Sequence, residues 1–276
     1  MTWHAQLDLR YSCKGVRSVV QHRHEGPLRV LKALYPEGAH VCHSVLVHPP
    51  GGIAGGDRLE ITVDVEPGAR ALISTPGATR FYRSDSAPGV QNVRLRVAEQ
   101  ARLELLPLET LVYPGAVAES RLLLEVAPGA SLMAWDVVGL GLPHAAQPFD
   151  RGQLLQHISW PGVWLERARL DASDARLLDS PLGLAGHRCV ATMFYASGNP
   201  FPRAARDDAL ELTRLIIDAH PLAAHAGVTM PNDRLVLVRA LAPVTEPVSS
   251  LFRQIWASWR RHFWQVSSQP PRIWSV

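Results

Sequence analysis

Four carboxylates in this sequence stand among apolar residues or beside a tight turn, where an ionised side chain needs a specific partner. They are Asp57, Glu109, Asp136 and Glu166. An unpaired buried carboxylate is costly, so each is expected to meet an arginine, backbone amides, a metal ion or water. Two that converged could form a glycosidase acid–base pair, whereas separate salt bridges or solvent-facing strand positions would account for all four without chemistry. The spacing along the chain leaves these alternatives open.

The first carboxylate, Asp57, directly follows the segment His48-Pro-Pro-Gly-Gly-Ile-Ala-Gly-Gly56. Its density of glycine and proline predicts a bend with close backbone approach and excludes a helix. The glycines of the bend are Gly51, Gly52, Gly55 and Gly56. We expect the last two to adopt backbone angles that a side chain would disfavour, and thereby to fix the position of Asp57.

Potential metal ligands cluster just before the bend, at His40, Cys42, His43 and His48. On a strand, three of them share one face while His43 points the other way. A structural zinc site needs four converging ligands, and the sequence has no paired Cys-x-x-Cys. Ordinary strand positions are therefore favoured over a tight metal site.

Known catalytic signatures and several partner classes are not indicated by the sequence. It contains no Walker A loop, dinucleotide fingerprint, Gly-x-Ser-x-Gly elbow or His-Glu-x-x-His helix. The net charge of +3 comes mostly from dispersed arginine, so nucleic acid is not expected as a partner. Three cysteines predict no disulfide framework and a reducing compartment. Without a signal-like start or a membrane-length apolar run, we expect a cytoplasmic protein without membrane contact.

Strand patterns dominate the part of the chain that must position these side chains. Apolar residues alternate with polar ones from Trp3 to Tyr11 and again from Ile61 to Val65. A weak repeat joins Val65-Glu-Pro-Gly-Ala-Arg-Ala71, Val97-Ala-Glu-Gln-Ala-Arg-Leu103 and Val126-Ala-Pro-Gly-Ala-Ser-Leu132. A period of about thirty residues without helical patterning predicts stacked strand–turn–strand units. The sequence thus predicts a mainly β fold of stacked antiparallel or β-helix-like sheets.

Helices are predicted in the last quarter of the chain. One begins at the capping-box-like Asp208-Ala-Leu-Glu211 and ends before Pro221, and a second spans 248–263. Apolar residues of the second helix and of the C-terminal tail are candidates for partner binding: Phe252, Trp256, Trp259, Arg272 and Trp274. We expect one domain over residues 1–276, β-rich over 1–200 and mixed over 201–276.

Many short motifs resemble, in order and spacing, those of one known family. They are Arg23-His-Glu-Gly-Pro-Leu28, Leu34-Tyr-Pro-Glu37, Cys42-His43, Val47-His-Pro-Pro-Gly-Gly-Ile53, Gly55-Gly-Asp57, Thr75-Pro-Gly-Ala-Thr79, Phe81-Tyr-Arg-Ser84, Leu106-Pro107, Glu109-Thr110, Trp135-Asp136 and Pro271-Arg-Ile-Trp274. Together they resemble the urease accessory protein UreD (UreH) family over almost the whole chain.

The resemblance implies a non-catalytic protein that joins UreF and the GTPase UreG on apo-urease and helps to pass nickel to the active site. No tightly bound cofactor is implied, because nickel would be in transit. The candidates for lining the passage are Asp57, Asp136 and Glu166, with Glu109 as a further one. Alternatives from other classes are a stand-alone β-sandwich hydrolase using a carboxylate pair and a purely structural β-solenoid module.

The chain departs from the family pattern at three positions. Leu108 stands where the family usually has glutamine, and the family's Leu-Gly-Arg followed by Gly-Glu is here Leu140-Gly141-Leu142 and Gln147-Pro148, so that an arginine and a carboxylate are lost around Leu142 and Gln147. The two latter changes would remove a polar role from their loop, which is compatible with a divergent or less efficient copy.

Overall fold

The computed structural model describes residues 2–85 and 87–275, and this part of the chain is built mainly from strands. In chain order the strands are β1 (His4–Lys14), β2 (Arg17–Glu25), β3 (Arg29–Val30), β4 (Cys42–Val47), β5 (Arg58–Val65), β6 (Arg70–Ser74), β7 (Thr79–Phe81), β8 (Gly89–Val97), β9 (Arg102–Leu105), β10 (Thr110–Val112), β11 (Val117–Val126), β12 (Ser131–Leu140), β13 (Gln153–Trp160), β14 (Trp164–Asp171), β15 (Cys189–Ser197), β16 (Ala226–Asn232) and β17 (Leu235–Ala242). The helices are α1 (Ala175–Asp179), α2 (Arg203–Asp218) and α3 (Thr245–Trp264).

The strands form two sheets that stack on each other. The seven-stranded sheet has the order β14-β13-β11-β8-β5-β1-β2. The ten-stranded sheet follows the path β16-β17-β15-β12-β9-β6-β4-β3, with β10 pairing β12 and β7. In both, the middle strands pair in parallel and the outer ones antiparallel. The mainly β prediction is confirmed, and the β-helix-like arrangement describes the middle of the molecule.

The sequence repeat is the corner of this coil, which confirms the prediction of stacked units. Val65 pairs with Val97, and Val97 pairs with Val126, at the ends of β5, β8 and β11. After each corner the chain enters the other sheet, so β6, β9 and β12 stack in the same order. Each successive coil lies on the previous one, and equivalent strands therefore pair in parallel.

One apolar core fills the space between the two sheets, and a second lies between the ten-stranded sheet and the helices. Along β12, Ala134 and Val138 face the first core, whereas Trp135 and Val137 face the second. This is the period-two alternation of a strand whose two faces are both covered. A charged residue in such a strand must therefore find its partners inside the molecule.

The aromatic stripe of α3 is buried within this chain, which corrects its interpretation as a surface for partners. Phe252, Trp256 and Trp259 are at most 1% exposed, and Trp274 of the C-terminal segment is 6% exposed. Their apolar character is accounted for by packing on the ten-stranded sheet. Of the candidates for partner binding, Arg272 is exposed.

The helix boundaries also differ from the predicted ones. Helix α2 begins at Arg203, before the capping-box-like motif, and directly after Pro202, whose fixed φ is compatible with helix entry. The first turn of α3 lies before the predicted start, and its end is closed by Gln265 in a left-handed conformation. The one-turn helix α1 was not predicted. Across residues 2–85 and 87–275, no helix is both long and apolar enough to cross a membrane.

Candidate functional site

Two of the four carboxylates, Asp136 and Glu166, lie near enough to each other for the charge of Glu166 to act on the pKa of Asp136. Asp136 lies on β12 and faces the space between the sheets, where Gln156 of β13 donates a 2.5 Å hydrogen bond to its Oδ2. Glu166 lies on β14 and accepts a hydrogen bond from the guanidinium of Arg239 on β17. We call these four residues the inter-sheet polar cluster. Each sheet contributes two of them.

The electrostatics of the inter-sheet polar cluster are unbalanced at Asp136. Burial raises the pKa of the Asp136 carboxyl from its ordinary value of 3.8 to about 6, the Gln156 hydrogen bond acts against this, and the charge of Glu166 adds to it. Glu166 has a cationic partner, but the Arg239 side chain is 59% exposed and leads out to solvent. The cluster therefore runs from a partly buried carboxylate, which forms no salt bridge with any residue that the structure describes, to an open ion pair. The inter-sheet polar cluster thus contains two carboxylates but one cationic side chain, Arg239.

Asp57 is instead held at the glycine bend. Its Oδ1 accepts a 2.7 Å hydrogen bond from the backbone N–H of Trp3, and its Oδ2 accepts one of 2.9 Å from that of Ala54. The residue is 3% exposed. Backbone amides thus satisfy the carboxylate, and the contact with Trp3 attaches the beginning of β1 to the bend. The structure explains its burial by these two hydrogen bonds.

The glycines of the bend are required for two different reasons. Gly51 and Gly56 have positive φ angles of 81° and 87°, a region that L side chains rarely adopt. Gly55 has no positive φ angle, and the expectation of an unusual backbone angle at this residue was therefore wrong. A Cβ at Gly55 would collide with the side chain of Ser84, and one at Gly52 would collide with the ring of Tyr82. These two positions need glycine because neighbouring side chains approach the backbone.

A largely apolar cavity of about 290 Å3 lies beside the bend, between the sheets. His48 lines it, and its Nε2 is buried without a hydrogen-bond partner among the described residues. Burial lowers the pKa of the His48 imidazole, and the charge of Asp57 opposes this shift. A neutral imidazole with a free ring nitrogen is a form that binds divalent metals. None of the four carboxylates is among the described residues that line the cavity.

Glu109 lies outside the inter-sheet polar cluster. Its carbonyl oxygen accepts a hydrogen bond of 2.9 Å from the backbone N–H of Thr79. Its charge acts on two groups near α3. Burial lowers the pKa of Arg253 while Glu109 opposes the shift, and burial raises the pKa of the Cys189 thiol to about 12 with Glu109 contributing. Glu109 is thus associated with the helix-facing side of the ten-stranded sheet.

The histidines and cysteines before the bend do not converge. Cys42 is fully buried in the core between the sheets. His43 faces away from it, and its Nε2 lies 2.7 Å from Glu37 Oε1. Among residues 2–85 and 87–275, no group of three or more His, Cys, Asp or Glu side chains is arranged to hold a metal ion.

A second set of buried charges was not predicted from the sequence. Arg260 of α3 contacts both Glu37, at 2.6 Å, and Glu104 of β9, at 3.4 Å. Glu104 also accepts a 2.5 Å hydrogen bond from the indole N–H of Trp256. Arg260 follows Trp256 by four positions, which places both residues on one face of the helix. An arginine within the apolar stripe of α3 was therefore the sequence feature that could have indicated a buried ion pair. These contacts attach α3 to a sheet strand and to an N-terminal loop.

The fold and site define a β-solenoid scaffold with helices packed on one sheet and a polar cluster between the two sheets. Comparison with known proteins identifies its family. The chain belongs to the UreD family of urease accessory proteins, whose family model, described as UreD urease accessory protein, matches residues 4–275.

Similar proteins cover this chain from end to end. A protein of Variovorax paradoxus with the name urease accessory protein UreD is 54% identical over 276 residues, with 100% of both chains covered. Proteins of the same name from Albidiferax ferrireducens and Methylibium petroleiphilum are 56% and 45% identical, and cover 100% and 99% of this chain and of their own lengths. The predicted family is therefore confirmed.

Proposed function

We propose that this chain is a non-catalytic scaffold for nickel insertion that acts in the cytoplasm. It binds apo-urease together with UreF and the GTPase UreG, and it helps to conduct nickel to the urease active site. Membership of a urease accessory family supports the general role. The observation that carries the conduction step is the convergence of Asp136 and Glu166 between the sheets.

The chemistry of the inter-sheet polar cluster suits a metal ion in transit. Carboxylate and amide oxygens bind Ni2+ more weakly than a cage of thiolates and release it more readily. The charge of Glu166 raises the pKa of Asp136, and a divalent cation near both would relieve that repulsion. Arg239 would compete with the cation for Glu166, and its exposed side chain can move into solvent. Transient binding at Asp136 is therefore favourable without a closed coordination shell.

The other two carboxylates fit the passage less well. Both oxygens of Asp57 accept backbone hydrogen bonds, which already satisfy the buried carboxylate without a metal ion. Glu109 acts on groups near α3 rather than on the inter-sheet polar cluster. We therefore assign the conduction step to Asp136 and Glu166, and keep His48 as a further candidate because its free ring nitrogen lies at the separate cavity.

The test uses Asp136→Ala and Glu166→Ala in cells that produce urease subunits, UreF and UreG. We expect both variants to fold and to assemble with the partners, and to yield urease with little nickel and little activity. Thermal midpoint, complex formation and nickel per active site are measured on the same preparations. Glu125→Ala is the matched control, because its side chain is 51% exposed on β11 of the seven-stranded sheet.

Normal nickel loading in a well-assembled variant complex would overturn the conduction role of that residue. A variant that does not fold returns the residue to a structural role. A hydrolase based on the same carboxylate pair would act without partners, so activity of the chain alone would favour that alternative.

A further inference from the structure

A second cavity, of about 510 Å3, lies between the ten-stranded sheet, the end of α3 and the segment that follows this helix. We call it the arginine cavity. Its titratable lining residues are Glu37, His40, Arg70, Arg102, Glu104 and Arg260. It is separate from the inter-sheet polar cluster, none of whose members lines it.

The sequence repeat itself brings two of the arginines together. Arg70 and Arg102 each follow the corner alanine of their unit, and they pair in register on the parallel strands β6 and β9. The third unit has Ser131 at this position, paired with Arg102. Like charges at paired positions of neighbouring strands are destabilising unless something neutralises them. Among the described residues, neither guanidinium forms a salt bridge with a carboxylate.

The third arginine is buried and incompletely paired. Arg260 is 1% exposed, and its Nη2 donates a 2.6 Å hydrogen bond to Glu37. Its Nε lies 3.4 Å from Glu104 without forming a hydrogen bond, and its Nη1 has no partner among the described residues. Leaving the donors of a buried guanidinium unsatisfied costs free energy. The unpaired atoms of Arg260 thus indicate a missing acceptor at the arginine cavity.

The charge balance of the arginine cavity favours an anion. Three guanidinium groups face two carboxylates, of which Glu37 is fully engaged by His43 and Arg260. Burial raises the pKa of Glu104 to about 7, so this group is only partly ionised at neutral pH. Burial lowers the pKa of Arg102 and the charge of Arg70 adds to this shift, while Tyr195 and Glu104 oppose it.

We propose that the arginine cavity binds a phosphate-class oxyanion, held by the guanidinium groups of Arg70, Arg102 and Arg260. Planar guanidinium groups present paired N–H donors that match phosphate oxygens. Arg102 also lies over the ring of Trp264, with its Cζ 5.6 Å from the ring centroid, which helps to orient the fork. The size of the cavity leaves room beside the phosphate group for a small organic substituent.

The experiment is a calorimetric titration of the full chain with inorganic phosphate, at an ionic strength held constant with sodium chloride. We expect saturable binding, and a thermal midpoint that rises with phosphate concentration. Arg102→Gln and Arg70→Gln should each weaken binding by about tenfold or more, since each removes a charged forked donor. Arg94→Gln, at an exposed position of β8 outside the cavity, should leave the affinity unchanged.

A parallel titration with glycerol phosphate identifies the form of the ligand. If glycerol phosphate binds more tightly than inorganic phosphate, the ligand is a phosphate monoester. If it binds equally or more weakly, the ligand is the free phosphate ion. The proposal is overturned if the parent chain shows no saturable binding of either probe. It is also overturned if both cavity variants bind as the parent does, or if the Arg94 control loses binding equally.

Discussion

The side-chain amide of Gln156 donates a 2.5 Å hydrogen bond to Asp136 Oδ2, and the two residues belong to different sheets. This bond lies beside the apolar core that the two sheets share. Burial of the acceptor raises its pKa to about 6, so at neutral pH the chain maintains an ionised group where folding alone would prefer a neutral one. The position therefore lowers stability at neutral pH and, in the proposed function, supplies a ligand for nickel.

The first prediction concerns the pH dependence of stability at Asp136. Because the folded state raises its pKa from 3.8 to about 6, the folded state binds the proton more tightly than the unfolded state. The stability that comes from the protonated form is present below pH 3.8, falls between pH 3.8 and 6, and is lost above pH 6. Asp136→Asn keeps an acceptor for Gln156 without the charge. It should be more stable than the parent by about 1–3 kcal/mol at pH 7.

Denaturant unfolding of parent and Asp136→Asn from pH 3.5 to pH 8 checks this. The difference in the free energy of unfolding between the two proteins should be small at pH 3.5 and should grow as the pH rises. Asp207→Asn, with a side chain 70% exposed on α2, is the control and should show no such growth. A constant difference across the range would contradict the raised pKa.

A second prediction uses the corners of the coil. Gly68 and Gly129 have positive φ angles of 73° and 75°, and Gln100 occupies the equivalent position of the middle unit with φ 57°. A side chain in this conformation is strained. Gln100→Gly should stabilise the protein by about 0.5–1 kcal/mol, after the greater freedom of glycine in the unfolded chain is subtracted.

The free energy of unfolding from denaturant titration measures this gain, and Gly68→Gln provides the reverse change. A Cβ at Gly68 would meet no atom closer than 3.9 Å, so any loss there reflects the backbone angle rather than a collision. Gln100→Gly should raise the free energy of unfolding and Gly68→Gln should lower it. If both variants change it in the same direction, the corners are not equivalent.

A third prediction concerns the glycine bend. Gly56→Val places a β-branched side chain at φ +87°, with its Cβ 2.6 Å from Thr2 Cγ2. The variant should be less stable by about 1–3 kcal/mol. Gly77→Val is the matched control, because Gly77 has no positive φ and no atom lies within 4 Å of an added Cβ. If the denaturation midpoints of Gly56→Val and the parent coincide, the bend does not require that backbone angle.

The coil could be predicted from the sequence, because a stacked corner recurs at nearly constant intervals and needs the same small residues each time. Ala69, Ala101 and Ala130 are all at most 2% exposed at those corners. The polar cluster could not be predicted in the same way. Glu166 and Arg239 are 73 positions apart and meet only because the sheets stack, which no local pattern records. The stripe of α3 was ambiguous for a related reason, since an apolar helix face has the same spacing whether its own sheet or a partner covers it.

The last prediction separates Asp57 from the proposed passage. Both of its oxygens accept backbone N–H groups, from Trp3 and from Ala54. Asp57→Asn retains one accepting oxygen and replaces the other by an amide that donates. One buried N–H then loses its acceptor, and the charge-assisted character of the remaining bond is lost. The variant should be destabilised by about 1–3 kcal/mol.

Nickel loading distinguishes this structural role from a ligand role. In Asp57→Asn we expect fewer folded molecules, but each complex that does assemble should deliver as much nickel per urease active site as the parent. Asp136→Asn should show the opposite combination, with greater stability at pH 7 and less nickel delivered. The two variants change the same functional group, so the comparison depends on position alone. Reduced loading in assembled Asp57→Asn complexes would place Asp57 in the passage after all, in addition to its structural role at the bend.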